Sequence, residues 1–460
     1  MVGLALGWSA AALEVLHGAQ GFPVTLEQWS WVSSLMPIGA AVGAMPAGRL
    51  VQSLGRKAVI LGLGPVTLAA WLLHLWASSV WMLYAGRLLL GAAVGAAIVA
   101  APIFVAEMAQ PAIRGALSTY FQILLCVGIL AVYACGKFLP IWWLNVCCLS
   151  TSVLHVLGFA WFPDTPRWYL LRGRPEDARK AMLFYRGPHY DVDAELQQVR
   201  EGIKASARPA KTPNGRPRWD SNLNHPSSGS ESEPLLGLKG ESPARDGWRA
   251  LASPIARKTM GICLVLVVLQ QITGVNAITF YTTQLFQGVG GLDAYSASIV
   301  VASVEVVATL VSMYLVDRVG RRVLLLVTGA FMAACTGLLG LFFYLQEGLH
   351  RDMAAVSWTP VILVSVYMFM FACGWGPVTW VFVGEVFPDN VKGLATGLSS
   401  TTVWLFAFLV TKFYPGLALA LGNFACYWAF FALCVAACLF VALVMPETKG
   451  KSLDEIQALL

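Results

Sequence analysis

The feature that most limits what this chain can fold into is its succession of long apolar runs. They lie near 1–17, 29–51, 58–77, 81–105, 115–136 and 141–161, and again near 258–286, 294–316, 323–345, 359–383, 394–415 and 422–445. Each is helix-length, and between the two sets lies a polar segment of nearly a hundred residues. A soluble domain carries about a quarter charged residues. This chain carries 12% charged and 57% hydrophobic residues, with a mean hydropathy of +0.67. So few charges cannot solvate so much apolar surface, and that surface must face lipid. Lipid admits only segments that satisfy their own backbone, which means helices or closed barrels. The runs are not the ten-residue alternations of a barrel. The fold class is therefore an all-α polytopic membrane protein with twelve transmembrane helices in two six-helix bundles.

The implied organisation is a first bundle over 1–161 and a central loop over 162–257. A second bundle follows over 258–445, with a tail over 446–460. No basic stretch precedes the first run, so no signal peptide is expected. That run, "MVGLALGWSAAALEVL", is short for a span needing about 20 residues. The first helix is expected to be truncated, or to begin upstream of the sequence. In the central loop, "PEDARKAMLFYRG" and "DVDAELQQVREGIKA" read as short amphipathic helices on the inner membrane face. The stretch after them is rich in Pro, Ser, Gly and charge and reads as disordered.

The net charge of +6 would suit nucleic acid, but the basic residues cluster between apolar runs, where membrane topology places them. With the central loop inside, Arg56, Lys57, Arg114, Arg318, Arg321, Arg322, Lys392, Lys449 and Lys451 all fall inside too, and both termini come out cytoplasmic. The ten Cys form no CxxC pairs and lie mostly in apolar runs, where Cys acts as a small hydrophobe. No metal cluster, nucleotide loop or Ser/His/Asp array is present in the sequence, so neither an enzyme nor a cofactor is expected. No N-x-Ser/Thr sequon occurs either.

The two halves repeat. "GRLVQSLGRK" (48–57) returns as "MYLVDRVGRR" (313–322), "AEMAQPAIRG" (106–115) as "GEVFPDNVKG" (384–393), and "PDTPR" (163–167) as "PETKG" (446–450). Three motifs in one order mark an internal duplication of the parallel kind found in transporters. With "GRLLLG", "PIFVAEMAQPAIRGAL", "PDTPRWYL", "QQITGVNAITFY", "GWGPVTW" and "PETKGKSLDEI", they make a chain-long resemblance to sugar porters of the major facilitator superfamily. "GWGPVTW" and "AFLVTK" bring it nearest to class III facilitative glucose transporters and insect trehalose transporters.

Several polar residues stand within the apolar runs. In "QQITGVNAITFYTT", a regular helix places Gln271, Asn276 and Thr279 on one broad arc, with Gln270 beyond its edge. Gly274 permits a bend there. Amides are costly in lipid and offer both donors and acceptors. They suit either interhelical hydrogen bonds or the hydroxyls of a sugar. The resemblance favours the sugar, and adds Gln122 in the fifth run as the counterpart in the first half. In "FACGWGPVTW", Gly376 and Pro377 make the tenth helix breakable. Phe371, Trp380 and Trp404 offer aromatic faces to sugar C–H groups. Val403 stands where many relatives carry Asn.

Two charges lie at membrane depth, Arg87 in "YAGRLLLG" and Glu305 in "VASVEVVATL". In proton-coupled relatives a carboxylate on the first helix partners the Arg; here Ser9 holds the matching position. That implies facilitated diffusion. Glu305 keeps open a proton-coupled alternative, against a reading in which it hydrogen-bonds to the seventh-run amides. The charges Arg56, Glu107 and Arg114 in one half and Asp317, Arg321, Arg322, Glu385 and Lys392 in the other read as a cytoplasmic gate that latches the halves together when the outside is open. Gln52 and Ser53 replace Asp317 and Arg318 in the first copy, which predicts a weaker first latch.

Finally, "ESEPLL" fits an acidic dileucine sorting signal, Glu231 with Leu235 and Leu236, and implies a clathrin adaptor as partner. The expected setting is a plasma membrane or an intracellular vesicle or lysosomal membrane. The expected function is facilitative transport of a neutral sugar, a hexose first. Proton-coupled symport and a non-transporting sugar sensor are the alternatives.

Overall fold

The computed structural model describes residues 1–19, 24–110, 114–206, 254–287, 293–387, 389–451 and 455. Glu231, Leu235 and Leu236 lie outside them, as does most of the stretch read as disordered. The side chains of Arg114, Asp317 and Lys392 are likewise outside the description. Eleven helices are long and apolar enough to cross a membrane, and a shorter apolar stretch, Val2–Ala12, opens the chain.

The first bundle is α1 (Val2–Ala19), α2 (Leu26–Leu54), α3 (Arg56–Leu75), α4 (Val80–Met108), α5 (Arg114–Phe138) and α6 (Ile141–Ala160). Three short helices follow in the loop: α7 (Pro166–Leu171), α8 (Pro175–Arg186) and α9 (Val192–Ser206). They close on their own small core of Leu170, Ala178, Met182, Val192, Leu196 and Ile203. The second bundle holds α10 (Pro254–Ile272) and α11 (Val275–Gln287), which together make one span, then α12 (Ala294–Val319) and α13 (Arg321–Phe343). Next come α14 (Thr359–Cys373) and α15 (Trp375–Val386), again one broken span, then α16 (Asp389–Leu421) and α17 (Asn423–Val444).

Local sequence explains the helix boundaries. Thr25 caps α2, its hydroxyl taking the Gln28 N–H while the Gln28 side chain takes the Thr25 N–H. This is a reciprocal capping box. Helices α2 and α4 then pack backbone to backbone through small residues. A Cβ on Gly39 would stand 2.2 Å from the Leu88 carbonyl, and one on Gly43 would stand 2.0 Å from that of Ala92. Without a hydrophobic drive between helices in lipid, such close approach is what holds them.

The two bundles meet along α1 with α11, α2 with α16, and α5 with α12. The polar contacts across this seam that lie at helix ends sit on the face opposite the repeated motifs. Lys137 pairs with Asp293 at 3.3 Å. Tyr295 donates to the Ala11 carbonyl at 2.9 Å. Lys412 donates to Ser30 at 2.7 Å and lies over the Trp31 ring. Among the described residues, Lys137–Asp293 is the ion pair that joins the two bundles.

The seventh span breaks at Gly274, whose φ is +111°. A side chain there would be strained in that backbone region, and its Cβ would meet the Phe430 ring at 2.9 Å. Gly274→Ala is expected to lower stability by about 1–2 kcal/mol from the backbone alone. Thermal unfolding of the purified chain in detergent measures this; an unchanged midpoint would show that the break does not need glycine.

Candidate functional site

The break at Gly274 changes how the amides of the seventh span are arrayed. A regular helix would put Gln271 and Asn276 on one arc and leave Gln270 off it. The break at Gly274 resets the phase of Asn276 against Gln271, and Gln270 joins through a side-chain bond to its neighbour Gln271 on the same helix. Asn276 Nδ2 donates to Gln271 Oε1 at 2.7 Å, Gln271 Nε2 to Gln270 Oε1 at 3.1 Å, and Gln270 Nε2 to the Trp375 carbonyl at 2.7 Å. A second contact runs from Gln270 Nε2 to the Gly376 carbonyl at 3.2 Å. The amide chain thus begins beside one broken helix and ends on the backbone of the other. Gln270 and Gln271 are buried and Asn276 is half-buried.

The clamp is reciprocal. At the seventh-span break, the Thr273 carbonyl accepts from the Tyr367 hydroxyl of α14 at 3.1 Å. At the tenth-span break, the carbonyls beginning α15 accept from Gln270. The tenth span breaks at Gly374, ahead of the Gly376–Pro377 pair. Pro377 therefore falls in the first turn of α15, where a missing N–H costs nothing. The Phe371 ring packs beside Gly376, 3.5 Å from where a Cβ would stand. Trp380 is half-buried against the main core, and Trp404 and Val403 are buried in it.

Gln122 stands apart from the amides, on α5. It is exposed, and donates to the Cys126 thiol at 3.7 Å. Cys126 in turn donates to Glu305 on α12 at 3.7 Å and lies 3.4 Å from Thr309. Glu305 therefore meets the other bundle through a thiol, while the seventh-span amides bond to one another and to the α15 backbone. Nearby, Tyr133 donates to the Thr279 carbonyl at 2.8 Å, so Thr279 contributes its backbone to the seam.

Arg87 is fully buried. Its guanidinium donates to the Val32 carbonyl at 3.1 Å, the Ala5 carbonyl at 2.8 Å and Ser9 Oγ at 2.8 Å, and lies 5.5 Å from the Trp8 ring. These described partners are all neutral. Ser9 thus contacts Arg87 directly, as its position on the first helix implied.

The repeated motifs build the same node twice. In the first bundle Arg56 pairs with Glu107 at 2.7 Å, Thr165 donates to Glu107 at 2.6 Å, and Arg56 also reaches the Val51 carbonyl at 3.3 Å. In the second, Arg321 pairs with Glu385 at 2.8 Å, Thr448 donates to Glu385 at 2.7 Å, and Arg321 reaches the Val316 carbonyl at 3.2 Å. An acid sits at the start of the following helix in both. Asp164 accepts the Arg56 N–H, and Glu447 accepts those of Arg321, Arg322, Thr448 and Lys449 at 2.9–3.0 Å. A helix N-terminus favours such an anion. Burial pushes the Glu447 carboxyl up, but the four backbone donors outweigh it and hold it below the usual glutamate range. Burial prevails at the more deeply placed Asp164, which stays above the usual aspartate range despite its own N–H donors.

In this arrangement each node lies within one bundle. Arg56–Glu107 and Arg321–Glu385 each tie helices within one bundle, because each arginine follows the glycine that turns its own helix pair. Arg322 reaches the Ala442 carbonyl, again within its bundle. The first node is also no looser than the second. Its pair is as short, with side chains 7% and 12% exposed against 11% and 30%. The carbonyl of Ser53, one of the two residues that depart from the repeat, takes a hydrogen bond from Arg172. Sequence reasoning quoted "PDTPR" and "PETKG" but gave Asp164, Thr165, Glu447 and Thr448 no role; the recurrence of an acid followed by Thr was the signal. Tyr367 and Cys126 carried none.

These features define a twelve-helix major facilitator fold with a polar seam at two broken helices. The chain matches the family described as "Sugar (and other) transporter" over residues 12–227 and 231–460, and it belongs to that family. It is 31% identical to the facilitated trehalose transporter Tret1 of Bombyx mori, across 99% of this chain and 83% of that one. It is likewise 31% identical to Tret1 of Anopheles gambiae, where it covers 99% of itself and 54% of the relative. The chain thus spans about half the length of the Anopheles gambiae and Aedes aegypti relatives. Among solved structures, the inward-open xylose transporter XylE from E. coli superposes with a TM-score of 0.77 at 20% identity, over 100% of this chain and 97% of that one. This likeness is one of fold.

Proposed function

We propose that the chain is a facilitative transporter of a neutral sugar, carrying it across the membrane by alternating access. The observation that supports this most is the amide chain Asn276–Gln271–Gln270, which links the two broken helices beside the seam between the bundles. A sugar entering such a site gives up water from its hydroxyls, and each amide supplies a donor and an acceptor in exchange. Gln122 from the first bundle, with Phe371, Trp380 and Trp404 from the second, completes the proposed pocket. The sugar is a hexose, or trehalose, the sugar in the relatives' names, which consists of two glucose units. The arginine nodes keep each bundle rigid as the halves rock. The repeated-motif face is cytoplasmic, by the distribution of Lys and Arg. Uptake of labelled D-glucose and trehalose into proteoliposomes tests the reading, and flux of neither sugar would overturn it.

Transport without protons is supported by Ser9. A hydroxyl beside Arg87 takes up no proton in the physiological range, whereas a carboxylate there could. The second reading, proton-coupled symport, is favoured by Glu305, a carboxylate at the seam.

Gln271→Ala is expected to weaken apparent affinity for the transported sugar, because hydroxyls lose a partner worth about 1–3 kcal/mol. That is roughly five- to 150-fold. Folded yield should stay near normal; unchanged affinity in purified protein would remove Gln271 from the site.

Glu305→Gln is expected to leave equilibrative uptake intact, since the amide keeps the shape and removes the titration. Loss of a pH-dependent accumulation against a gradient would decide for symport instead.

We also propose that Glu231, Leu235 and Leu236 form a sorting signal read by a clathrin adaptor, setting residence between the plasma membrane and intracellular vesicles. Leu235→Ala with Leu236→Ala should raise surface abundance without changing transport per molecule. Equal surface biotinylation of both forms would show a chance match.

A further inference from the structure

On the face opposite the repeated motifs, a cavity of about 350 Å3 opens where α11, α13, α16 and α17 end or begin. That is within the size range of small-molecule pockets. Its walls pair aromatic faces with amides. Tyr281 and Tyr414 stand with ring centroids 5.7 Å apart. Around them lie Gln284, Gln346, Glu347 and Asn423. The Tyr281 and Tyr414 hydroxyls are held, by the Thr411 carbonyl at 2.8 Å and by Asn423 at 3.4 Å. Glu347 is committed as well: its two oxygens accept from the Asn423 backbone and side chain at 2.9 and 2.7 Å. Gln284 is different. Its Nε2 is buried and has no hydrogen-bond partner among the described residues. A buried donor left unpaired is costly, so such an atom marks a place where an acceptor belongs.

The geometry points to a second sugar site here, one that takes a single ring and is separate from the amide chain at the broken helices. A sugar hydroxyl supplies the acceptor that Gln284 lacks. The ring's C–H face meets the tyrosines through weak contacts. A cation is the poorer fit, because both Glu347 oxygens are already engaged. Leu26 of the first bundle closes one wall, and the other lining residues come from the second bundle. The site is therefore complete only when this face of the seam is closed, and an occupant favours that closed state. The choice of a sugar as ligand rests on the proposed function; the cavity and the unpaired amide do not.

The test uses the purified full chain in detergent with Ala418→Cys on the cavity wall and a maleimide to report access. D-Glucose and trehalose are the probes. One of them should slow labelling of the introduced thiol about threefold at twice its dissociation constant, as expected for a site two-thirds occupied. The slowing should persist with Gln271→Ala and vanish with Gln284→Leu, or with Gln284→Met if the first variant does not fold. No slowing by either sugar would overturn the proposal. So would slowing that requires Gln271, or slowing that survives the loss of the Gln284 amide. A chain that moves no sugar in proteoliposomes yet keeps Gln284-dependent protection would sink the transport reading and leave this site standing.

Discussion

The structure depends on one constraint: a helix broken inside a membrane must have its exposed backbone satisfied by protein. Two spans break here, at Gly274 and Gly374; the Thr273 carbonyl opened by the first is taken up from the tenth span, and a seventh-span amide adds a bond to the start of α15. Tyr367 donates to the Thr273 carbonyl, and Gln270 donates to the Trp375 and Gly376 carbonyls. The arrangement is structural before it is functional. It also leaves Gln271 and Asn276 held side by side in a fixed orientation, as a site for a neutral polar ligand requires. Replacing those amides by apolar residues would spare their burial cost and lose that orientation.

The second organising element is the pair of arginine nodes. Each gathers an arginine, a glutamate, a threonine and a capping acid, and each ties the ends of helices inside one bundle. Two bundles braced in this way can move as bodies. The seam between them carries little charge by comparison, with Lys137–Asp293 as its described ion pair. Its other polar contacts join hydroxyls and backbone carbonyls, with Lys412 on Ser30 and Glu305 on the Cys126 thiol. Exposed pairs contribute about 0–1 kcal/mol, so such a seam opens at low cost while the nodes persist.

Arg87 and Glu305 show how the same fold handles buried charge in two ways. Arg87 is surrounded by carbonyls, a hydroxyl and an indole face, which spread its charge within the first bundle. It binds α1 and α2 to α4, so its role is already structural. Glu305 faces the opposite bundle through Cys126, and its contact is one that a rocking motion would change.

Much of this was legible in the sequence. The apolar runs required helices, because lipid leaves no other state for an unpaired backbone. The duplicated motifs announced two related bundles, and Gly274 announced a break. The amphipathic loop helices could be read as a local rule. The partners could not. Sequence grouped Arg56 and Arg321 with a gate between the halves, and could not show that each also forms a node inside its own bundle. It put Gln270 off the polar arc, whereas a side-chain bond from Gln271 ties it into the amide chain. It gave Cys126 no role, although Cys126 meets Glu305 across 179 residues. The sequence by itself determined the helices, their number and their doubling, since these follow from local hydropathy and from repetition along one chain. Only the tertiary structure decided which polar group satisfies which. A hydrogen bond depends on ångström-scale position, and that position is set by the packing of helices distant in sequence.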